Sequence, residues 1–348
     1  MTPLERFLEE EIARGSFPGG AAIVGSADAI VAQAAAGRAA VEPEPAALDA
    51  NTRFDLASLT KPLAAGALAR IALARGLGLG DAPGRFLPEW KRTRFEGITV
   101  ESLLTHTSGL PAWFPLYARG EGPAAYRRTL AGFEPDRRPG SGVLYSDIGF
   151  LVIGEILEFF FSSSLDRLFA ELVAKPTGSA AHFLPSAAEP CAATERGDRF
   201  ERRQTAALGL SYAAFRDGVV RGEVHDGNAF RRGGVAAHAG LFAAAEDVWK
   251  LGRAWLEPSA AAFAADRTPD FEEGRGLAWQ GPRGAGSSIG EFSAKAYGHT
   301  GFTGTSLWVD PEPGAIYVLL TNRIHPDVQE LNFNEVRQRF HRVARRLL

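Results

Sequence analysis

Ser58 and Lys61 form the first pattern in the sequence that could carry out chemistry. Side chains three residues apart on a helix lie on the same face, one turn from each other. A serine hydroxyl is a weak nucleophile until a base accepts its proton, and a lysine with a lowered pKa can be that base. Pro62 indicates that the helix begins near Ser58, because proline is tolerated only in the first turn. Backbone N–H groups there could stabilise an oxyanion.

Tyr145 and Asp147 form the second pattern, at the point where a loop leads into a predicted helix. A phenol beside a cation loses its proton more easily and can act as a general base or a proton shuttle. The structural alternative is that Ser146 or Asp147 caps the helix while Tyr145 packs. Likewise, a capping serine and a surface lysine are the structural alternative for the first pattern.

His299, Thr300 and Gly301 form the third pattern, followed by Phe302, at the start of a predicted glycine-rich strand. Glycine in a strand often marks the close approach of another backbone or of a ligand. A substrate could lie along such an edge and accept a hydrogen bond from the N–H of Phe302. The alternative is a hairpin that merely tolerates glycine.

The three motifs S-x-x-K, Y-x-[ND] and [KH]-T-G, in this order, resemble the serine β-lactamase and penicillin-binding-protein superfamily. The resemblance covers residues from about 17 to 322. Four longer segments are similar to class C β-lactamase-related esterases and peptidases: Phe54-Asp-Leu-Ala-Ser-Leu-Thr-Lys61, Leu103-Leu-Thr-His-Thr-Ser-Gly-Leu-Pro111, Gly301-Phe-Thr-Gly-Thr-Ser306 and Leu319-Leu-Thr-Asn322.

This resemblance implies a mechanism. Ser58 would attack a carbonyl carbon, and Lys61 and Tyr145 would move its proton. The backbone N–H groups of Ser58 and Phe302 would form the oxyanion hole, and water activated by Tyr145 would release the acyl group. The resemblance implies neither a metal nor a cofactor.

The resemblance assigns substrate binding to four positions: Asp147, His299, Thr300 and Gly301. Two of these residues, Asp147 and His299, depart from the family pattern. Asp147 stands where asparagine is usual, and a carboxylate near Lys61 would favour the charged ammonium and oppose its use as a base. His299 stands where lysine is usual. A histidine is largely neutral at pH 7, so it attracts a substrate carboxylate less strongly, as in the esterase branch.

The sequence therefore predicts a hydrolase that cleaves an ester or small amide through an acyl-enzyme on Ser58. One alternative is a D-amino-acid peptidase or carboxypeptidase, or a weak β-lactamase. An alternative of another class is a catalytically silent, penicillin-binding-protein-like binding protein. Intact Ser58, Lys61 and Tyr145 argue against silence, whereas Asp147 and His299 keep that alternative open. The expected partner is a small ester, amide or peptide, and self-association is left open.

His225, Asp226 and His238 form a further polar cluster that could be interpreted as metal ligands. Their spacing matches no metal motif, so a loop that borders the cleft with satisfied polar side chains is the preferred interpretation. His106 resembles a family position and is expected to be structural.

The composition of the chain restricts its class of protein and its expected binding partners. A net charge of −3, with 45% hydrophobic residues, predicts a globular protein that binds neither nucleic acid nor a membrane. The single cysteine, Cys191, excludes an intramolecular disulfide. The N-terminal segment has no signal-peptide pattern, so a cytoplasmic location is expected, with a removed leader as the alternative.

The predicted fold is α/β (α+β) and β-lactamase-like, with an antiparallel sheet built from both chain ends, flanked by helices. Residues 1–75 and about 240–348 are expected to form this α/β subdomain, and residues about 76–239 a mostly helical inserted subdomain. Residues 113–142 are predicted to be a loop system bordering the site. A closing helix is expected to direct five arginines to solvent: Arg337, Arg339, Arg342, Arg345 and Arg346.

Overall fold

The computed structural model describes residues 1–91, 95, 97–284, 290 and 292–348. Its helices are α1 (Pro3–Ala13), α2 (Ala67–Ala74), α3 (Val100–Leu104), α4 (Gly122–Leu130), α5 (Asp147–Phe161), α6 (Leu165–Phe169), α7 (Lys175–Thr177), α8 (Arg199–Ala207), α9 (Gly227–Arg231), α10 (Ala245–Arg253), α11 (Pro258–Ala264) and α12 (Phe333–Arg345). Its strands are β1 (Gly19–Ser26), β2 (Ile30–Ala40), β3 (Ala46–Ala47), β4 (Phe54–Asp55), β5 (His182–Phe183), β6 (Ala193–Arg196), β7 (Val219–Arg221), β8 (Leu241–Ala243), β9 (Tyr297–Thr300), β10 (Ser306–Asp310) and β11 (Ala315–Thr321).

The main sheet joins the two ends of the chain. Its six strands run in the order β3-β2-β1-β11-β10-β9. The N-terminal strand β1 pairs antiparallel with the C-terminal strand β11, in a register that runs from Gly20 opposite Thr321 to Ser26 opposite Ala315. The predicted fold class, an antiparallel sheet built from both chain ends and flanked by helices, is confirmed.

Helices cover both faces of this sheet. Ile316 and Val318 of β11 face the large hydrophobic core on the side of α10. Tyr317 and Leu319 face a second core, which includes Phe340 of α12 and residues of α1. Because both faces of β11 are buried, the strand is an uninterrupted apolar run and not an alternating one.

Most of the helices lie between the two parts of the main sheet. Residues 76–239 contain α3 to α9, together with short strands β5 to β7. Strand β5 pairs with β8, which in turn pairs with β4, so a small second sheet connects this region to the segment before Ser58. The division into residues 1–75 with about 240–348, and about 76–239, stays a prediction.

The prediction of a loop system throughout residues 113–142 is wrong, because the segment contains α4. Pro123 occupies the first turn of this helix, where proline is tolerated. Tyr126 and Leu130, four residues apart, are buried on one helical face. The frequent glycine, proline and arginine residues around them obscured this periodicity.

The third motif also lies differently from the prediction. His299 is near the end of β9 and not at the start of a strand, and Gly301 to Thr305 form the turn between β9 and β10. Gly304 in this turn has φ +105°, a backbone conformation that favours glycine. The turn therefore interrupts the predicted glycine-rich strand.

The arginines of α12 do not all face solvent as predicted. Arg337 is only 6% exposed, and Arg339 forms an ion pair with Glu11 of α1 at 2.7 Å. Two residues apart, they point in different directions: Arg337 contacts the turn after β9, and Arg339 contacts α1. Arg342, Arg345 and Arg346 are exposed, as expected.

Among the described residues, no single helix has the length and apolar character needed to cross a membrane. One pair of segments, Asp147–Phe161 and Leu165–Thr177, meets the length and composition criterion jointly, with a bend of 75° between them.

Asn322 connects the two ends of the chain, and we predict that Asn322→Ala destabilises the fold. Its buried amide accepts a hydrogen bond from Gly19 N at 2.9 Å and donates to the carbonyl oxygens of Arg38 and Ala39 at 3.1 and 3.2 Å. Loss of these partners leaves buried backbone groups unsatisfied, which should lower the free energy of unfolding by about 1–3 kcal/mol.

Denaturant titration followed by circular dichroism measures this change. The matched control is Asn51→Ala, an exposed asparagine, for which a change within about 0.5 kcal/mol is expected. Equal effects of the two substitutions would contradict the role of Asn322.

Candidate active site

Ser58 lies at the start of a helical segment, as its distance from Pro62 predicts. A 3-10 turn spans Ala57–Leu59, a π-helical turn spans Lys61–Gly66, and α2 follows. Ala57 has φ +47°, an unusual value for a residue with a side chain. Asp55 stabilises this turn, because its carboxylate accepts hydrogen bonds from Ala57 N at 2.8 Å and from His225 N at 2.7 Å. Strained backbone of this kind is often found at functional sites.

Lys61 is completely buried beneath the half-exposed Ser58. Its Nζ donates to Ser58 Oγ at 2.9 Å and to the carbonyl oxygen of His238 at 3.2 Å, and it lies 2.7 Å from Oδ1 of Asp147. Burial opposes the ammonium, but Asp147 and Tyr145 outweigh it, so the pKa of Lys61 lies above its ordinary value. Lys61 is therefore a hydrogen-bond donor to Ser58 in the resting protein.

Ser146, and not Asp147, caps helix α5. Its Oγ accepts a hydrogen bond from Gly149 N at 2.9 Å and donates to the carbonyl of Pro111 at 2.6 Å. This cap leaves the Asp147 carboxylate free to pair with Lys61. Of the two capping residues that the sequence allowed, one is structural and the other belongs to the site.

Tyr145 is half-buried, and its ring is surrounded by charged and aromatic groups. The ring centre lies 4.9 Å from Lys61 Nζ, 4.4 Å from the ring of His106 and 5.9 Å from the ring of His299. Burial is the largest influence on the phenol and raises the pKa of Tyr145, while the charge of Lys61 offsets only part of this rise. The phenol is thus protonated at neutral pH before substrate binds.

The ring of His106 packs against the ring of Tyr145, in agreement with the structural role expected for His106. Its Nδ1 accepts a hydrogen bond from Ser146 N at 3.0 Å. Burial, assisted by the charges of Arg275 and Lys61, lowers the pKa of His106 well below its ordinary value. A neutral imidazole can accept this bond, and its ring then fixes the orientation of the phenol.

The turn after β9 packs directly against the segment that carries Ser58. Thr303 and Thr305 donate through their hydroxyl groups to the carbonyl oxygens of Asp55 and Leu56, at 2.7 and 2.9 Å. A Cβ atom at Gly301 would lie 2.5 Å from the Leu56 carbonyl oxygen, so only glycine fits there. This close approach explains the glycine of the third motif.

His299 is 3% exposed, and its Nδ1 lies 2.8 Å from the carbonyl oxygen of Thr300. Burial, followed by the charges of Lys61 and Arg275, lowers the pKa of His299 well below its ordinary value. The imidazole is therefore neutral, as its residue type suggested.

A cleft of about 370 Å³ opens above Ser58. In the described part of the chain it is lined by Ala57, Ser58, Trp113, Tyr145, Asp147, Phe200, Glu201, Gln204, His225, Asp226, His238, Ala239 and Phe302. The structure thus brings the residues of the first two motifs together with Phe302. Of the four predicted substrate-binding residues, Asp147 lines this cleft, whereas His299, Thr300 and Gly301 are not part of its described wall.

Two contacts between a histidine and a carboxylate account for the polar cluster that borders the cleft. His225 Nε2 lies 3.0 Å from Glu195, and His238 Nε2 lies 2.8 Å from Asp226. Although burial favours the neutral acid, His238 holds the pKa of Asp226 at about 2. Among the described residues no three histidine, cysteine, aspartate or glutamate side chains are placed to hold a metal ion. The cluster borders the cleft with paired side chains, the arrangement that the sequence favoured.

Two groups at the site, Glu201 and Arg275, were not predicted from the sequence. Glu201 of α8 accepts hydrogen bonds from the Tyr117 hydroxyl and from Gly227 N, both at 2.6 Å. Burial and the charge of Asp226 raise the pKa of Glu201 to about 7. Arg275 is buried with its guanidinium 5.5 Å from the centre of the Tyr145 ring. Neither belongs to a local motif, so only the tertiary structure identifies them.

Comparison with known proteins agrees with this geometry. The sequence model of the Beta-lactamase family matches residues 4–339, and the chain belongs to this family. An N-acetylmuramyl-L-alanine amidase of Bacillus subtilis is 29% identical over an alignment of 360 positions, which covers 93% of this chain and 81% of the relative. A proposed D-alanyl-D-alanine carboxypeptidase of Salmonella agona is 28% identical over 324 residues, covering 82% and 72%.

The fold is likewise that of a class C β-lactamase of known structure, with a TM-score of 0.74 at 17% identity, covering 97% of this chain and 94% of that one. Family membership and this fold define the protein as a serine hydrolase. A catalytically silent binding protein is therefore not supported.

Asp147→Asn should move the pH dependence of catalysis. The carboxylate raises the pKa of Lys61, so its neutralisation should lower that pKa. If the Lys61 and Tyr145 pair must lose a proton before Ser58 can be deprotonated, the rising limb of kcat/KM against pH should shift to lower pH. The measurement is the pH profile of p-nitrophenyl acetate hydrolysis.

The control is Asp217→Asn, which neutralises a carboxylate that is 92% exposed and paired with Arg202. Its profile should coincide with that of the unmodified protein. A rising limb that stays in place in Asp147→Asn would show that Asp147 does not set the charge of Lys61 during catalysis.

Proposed function

We propose that the protein hydrolyses esters or small amides through a covalent acyl-enzyme on Ser58. The observation that carries this proposal is the contact of 2.9 Å between Ser58 Oγ and the buried Nζ of Lys61, at the floor of an open cleft. A serine placed beside a proton carrier at a helix start is suited to nucleophilic catalysis.

Two steps follow from this arrangement. In acylation, Ser58 Oγ bonds to the substrate carbonyl carbon, its proton passes to the Lys61 and Tyr145 pair, and the leaving group departs with a proton from that pair. In deacylation, water attacks the acyl carbon and Tyr145 accepts its proton. The bond between the acyl carbon and Ser58 Oγ then breaks, and this proton passes from Tyr145 to Ser58 Oγ as the acid product leaves. Lys61 and Tyr145 both carry their protons in the resting state. One of them must therefore lose its proton before it can accept the proton of Ser58.

The backbone N–H groups of Ser58 and Phe302 are proposed to bind the oxyanion. Phe302 lines the cleft together with Ser58, and the hydrogen bonds of Thr303 and Thr305 hold its turn against the Ser58 segment. Donors that are fixed before the reaction stabilise developing charge without reorganisation.

The substrate class is proposed from the charges around the reacting groups. Lysine at position 299 would offer a full positive charge to a substrate carboxylate, whereas His299 is neutral and buried. Asp147 adds a carboxylate to the cleft wall. Both features favour substrates without a carboxylate next to the scissile bond.

A D-amino-acid peptidase is the second candidate function. It is supported by the name of one relative, the proposed D-alanyl-D-alanine carboxypeptidase of Salmonella agona. The name of the Bacillus subtilis amidase supports cleavage of an amide only. A weak β-lactamase activity belongs to the same candidate, because penicillins also present a carboxylate beside the reacting amide.

A fluorophosphonate probe should add one phosphonyl group to Ser58, and Ser58→Ala should abolish labelling. Peptide mass spectrometry locates the label. Tyr145→Phe should slow labelling by roughly a hundredfold, the usual scale for loss of a general acid or base. Circular dichroism of both variants serves as the control for folding. A label on another serine would contradict the assignment of the nucleophile.

His299→Lys should move activity toward substrates that carry a carboxylate. The unmodified protein is expected to have a higher kcat/KM for a short-chain p-nitrophenyl ester than for a penicillin. The substitution should shift the ratio of kcat/KM for the ester to kcat/KM for the penicillin in favour of the penicillin. The shift should correspond to about 1–3 kcal/mol, the free energy of a hydrogen bond to a charged group.

The matched control is His182→Lys, which makes the same exchange at a side chain that is 33% exposed and paired with Glu189. It should leave the ratio unchanged. A preference of the unmodified protein for penicillin, or an equal ratio in His299→Lys, would show that His299 does not determine the substrate class.

A further inference from the structure

Two arginines bind the backbone of the turn that carries Phe302. Arg337 of α12 donates through Nη2 to the carbonyl oxygens of Gly301 at 2.9 Å and Thr305 at 3.2 Å. Arg323 donates through Nε to the carbonyl oxygen of Phe302 at 2.8 Å. The mechanism described above uses neither side chain.

Arg337 is an unusual cation, because it is 6% exposed and forms no salt bridge within the described part of the chain. Its Nη1 donates to Asn334 Oδ1 at 3.0 Å, and its guanidinium lies 5.0 Å from the centre of the Phe333 ring. Burial and the charge of Arg323 lower the pKa of Arg337 to about 9, so it remains charged at neutral pH. A buried charge without an anion is unfavourable. A neutral hydrogen-bond donor could hold the turn without the unfavourable free energy of a buried charge.

The position of the Arg337 guanidinium, next to the Gly301 carbonyl oxygen, indicates what its charge does. The Gly301 carbonyl and the Phe302 N–H belong to one planar, trans peptide group, so they point in opposite directions. A charged donor on the oxygen strengthens the hydrogen bond there and polarises the amide. The N–H at the other end becomes a stronger donor and is fixed in direction.

We propose that Arg337 is a positioning residue for the oxyanion hole: its guanidinium orients and polarises the Gly301–Phe302 peptide group, whose N–H binds the substrate oxyanion. This inference rests on the proposed function, because it takes the Phe302 N–H as an oxyanion donor. Arg323 acts on the next peptide, so it fixes the turn without polarising that N–H.

The test compares Arg337→Met with Arg342→Met, an exposed arginine on the same helix. Three quantities are measured: kcat and KM for a p-nitrophenyl ester, the dissociation constant of phenylboronic acid, and the infrared frequency of the ¹³C-labelled acyl carbonyl in the acyl-enzyme. The boronic acid forms a tetrahedral adduct with the Ser58 oxygen and reports on the oxyanion site.

Arg337→Met should lower kcat by about tenfold with KM nearly unchanged, less than the hundredfold or more expected when a whole donor is removed. The boronic acid should bind more weakly by a similar factor, and the acyl carbonyl should absorb at higher frequency because it is less polarised. Arg342→Met should match the unmodified protein in all three. Reduced thermal stability with all three quantities unchanged would overturn the proposal, since Arg337 would then only support the fold.

Arg337→Gln decides the question if Arg337→Met does not fold. It keeps a donor for the Gly301 carbonyl and removes the charge, so weaker boronic acid binding and a higher carbonyl frequency are expected. Values equal to those of the unmodified protein overturn the proposal. Failure of the proposed function is distinguished by the unmodified protein alone, because the infrared spectrum and mass spectrometry would then show no acyl group on Ser58.

Discussion

The buried ammonium of Lys61 is the interaction on which the site depends. It joins Ser58 Oγ, the Asp147 carboxylate and the His238 carbonyl within 3.2 Å, and these groups come from three separate parts of the chain. An isolated ammonium at this depth would be strongly unfavourable. The Asp147 carboxylate and the two oxygen acceptors therefore allow Lys61 to stay charged. The ion pair also sets the protonation state from which catalysis begins, with Lys61 charged and Tyr145 neutral.

Around this ammonium, structural and chemical roles are divided between neighbouring residues. Ser146 caps α5, which leaves Asp147 for the ion pair, and His106 accepts the Ser146 N–H while its ring supports Tyr145. On the other side, Thr303 and Thr305 bind the Ser58 segment so that Phe302 borders the cleft. Each reactive group is thus held by a neighbour that does no chemistry itself.

Local patterns predicted the parts of this arrangement that local geometry determines. The spacing of Ser58, Lys61 and Pro62 was sufficient for the helix start, and Ser146 was one of the two residues predicted to cap α5. The roles of Glu201, Arg275 and Arg337 were not predicted, because each depends on contacts with distant segments. Arg337 shares its helix with exposed arginines, and its spacing of four residues from Phe333 and three from Phe340 is the signal that could have separated it from them. Helix α4 was missed for a different reason, since its weak periodicity lies among helix-breaking residues.

The pairing of β1 with β11 has a consequence for the synthesis of the protein. Strand β1 obtains its neighbour β11 only when residues 315–321 have been translated, and α12, which covers them, follows later still. Contacts between such distant segments form slowly, since a long loop must close first. A chain translated only as far as α9 therefore carries Ser58 and Lys61 without Phe302, which borders the cleft. The described cleft can be complete only when the turn of Phe302 has been translated and packs against the segment of Ser58.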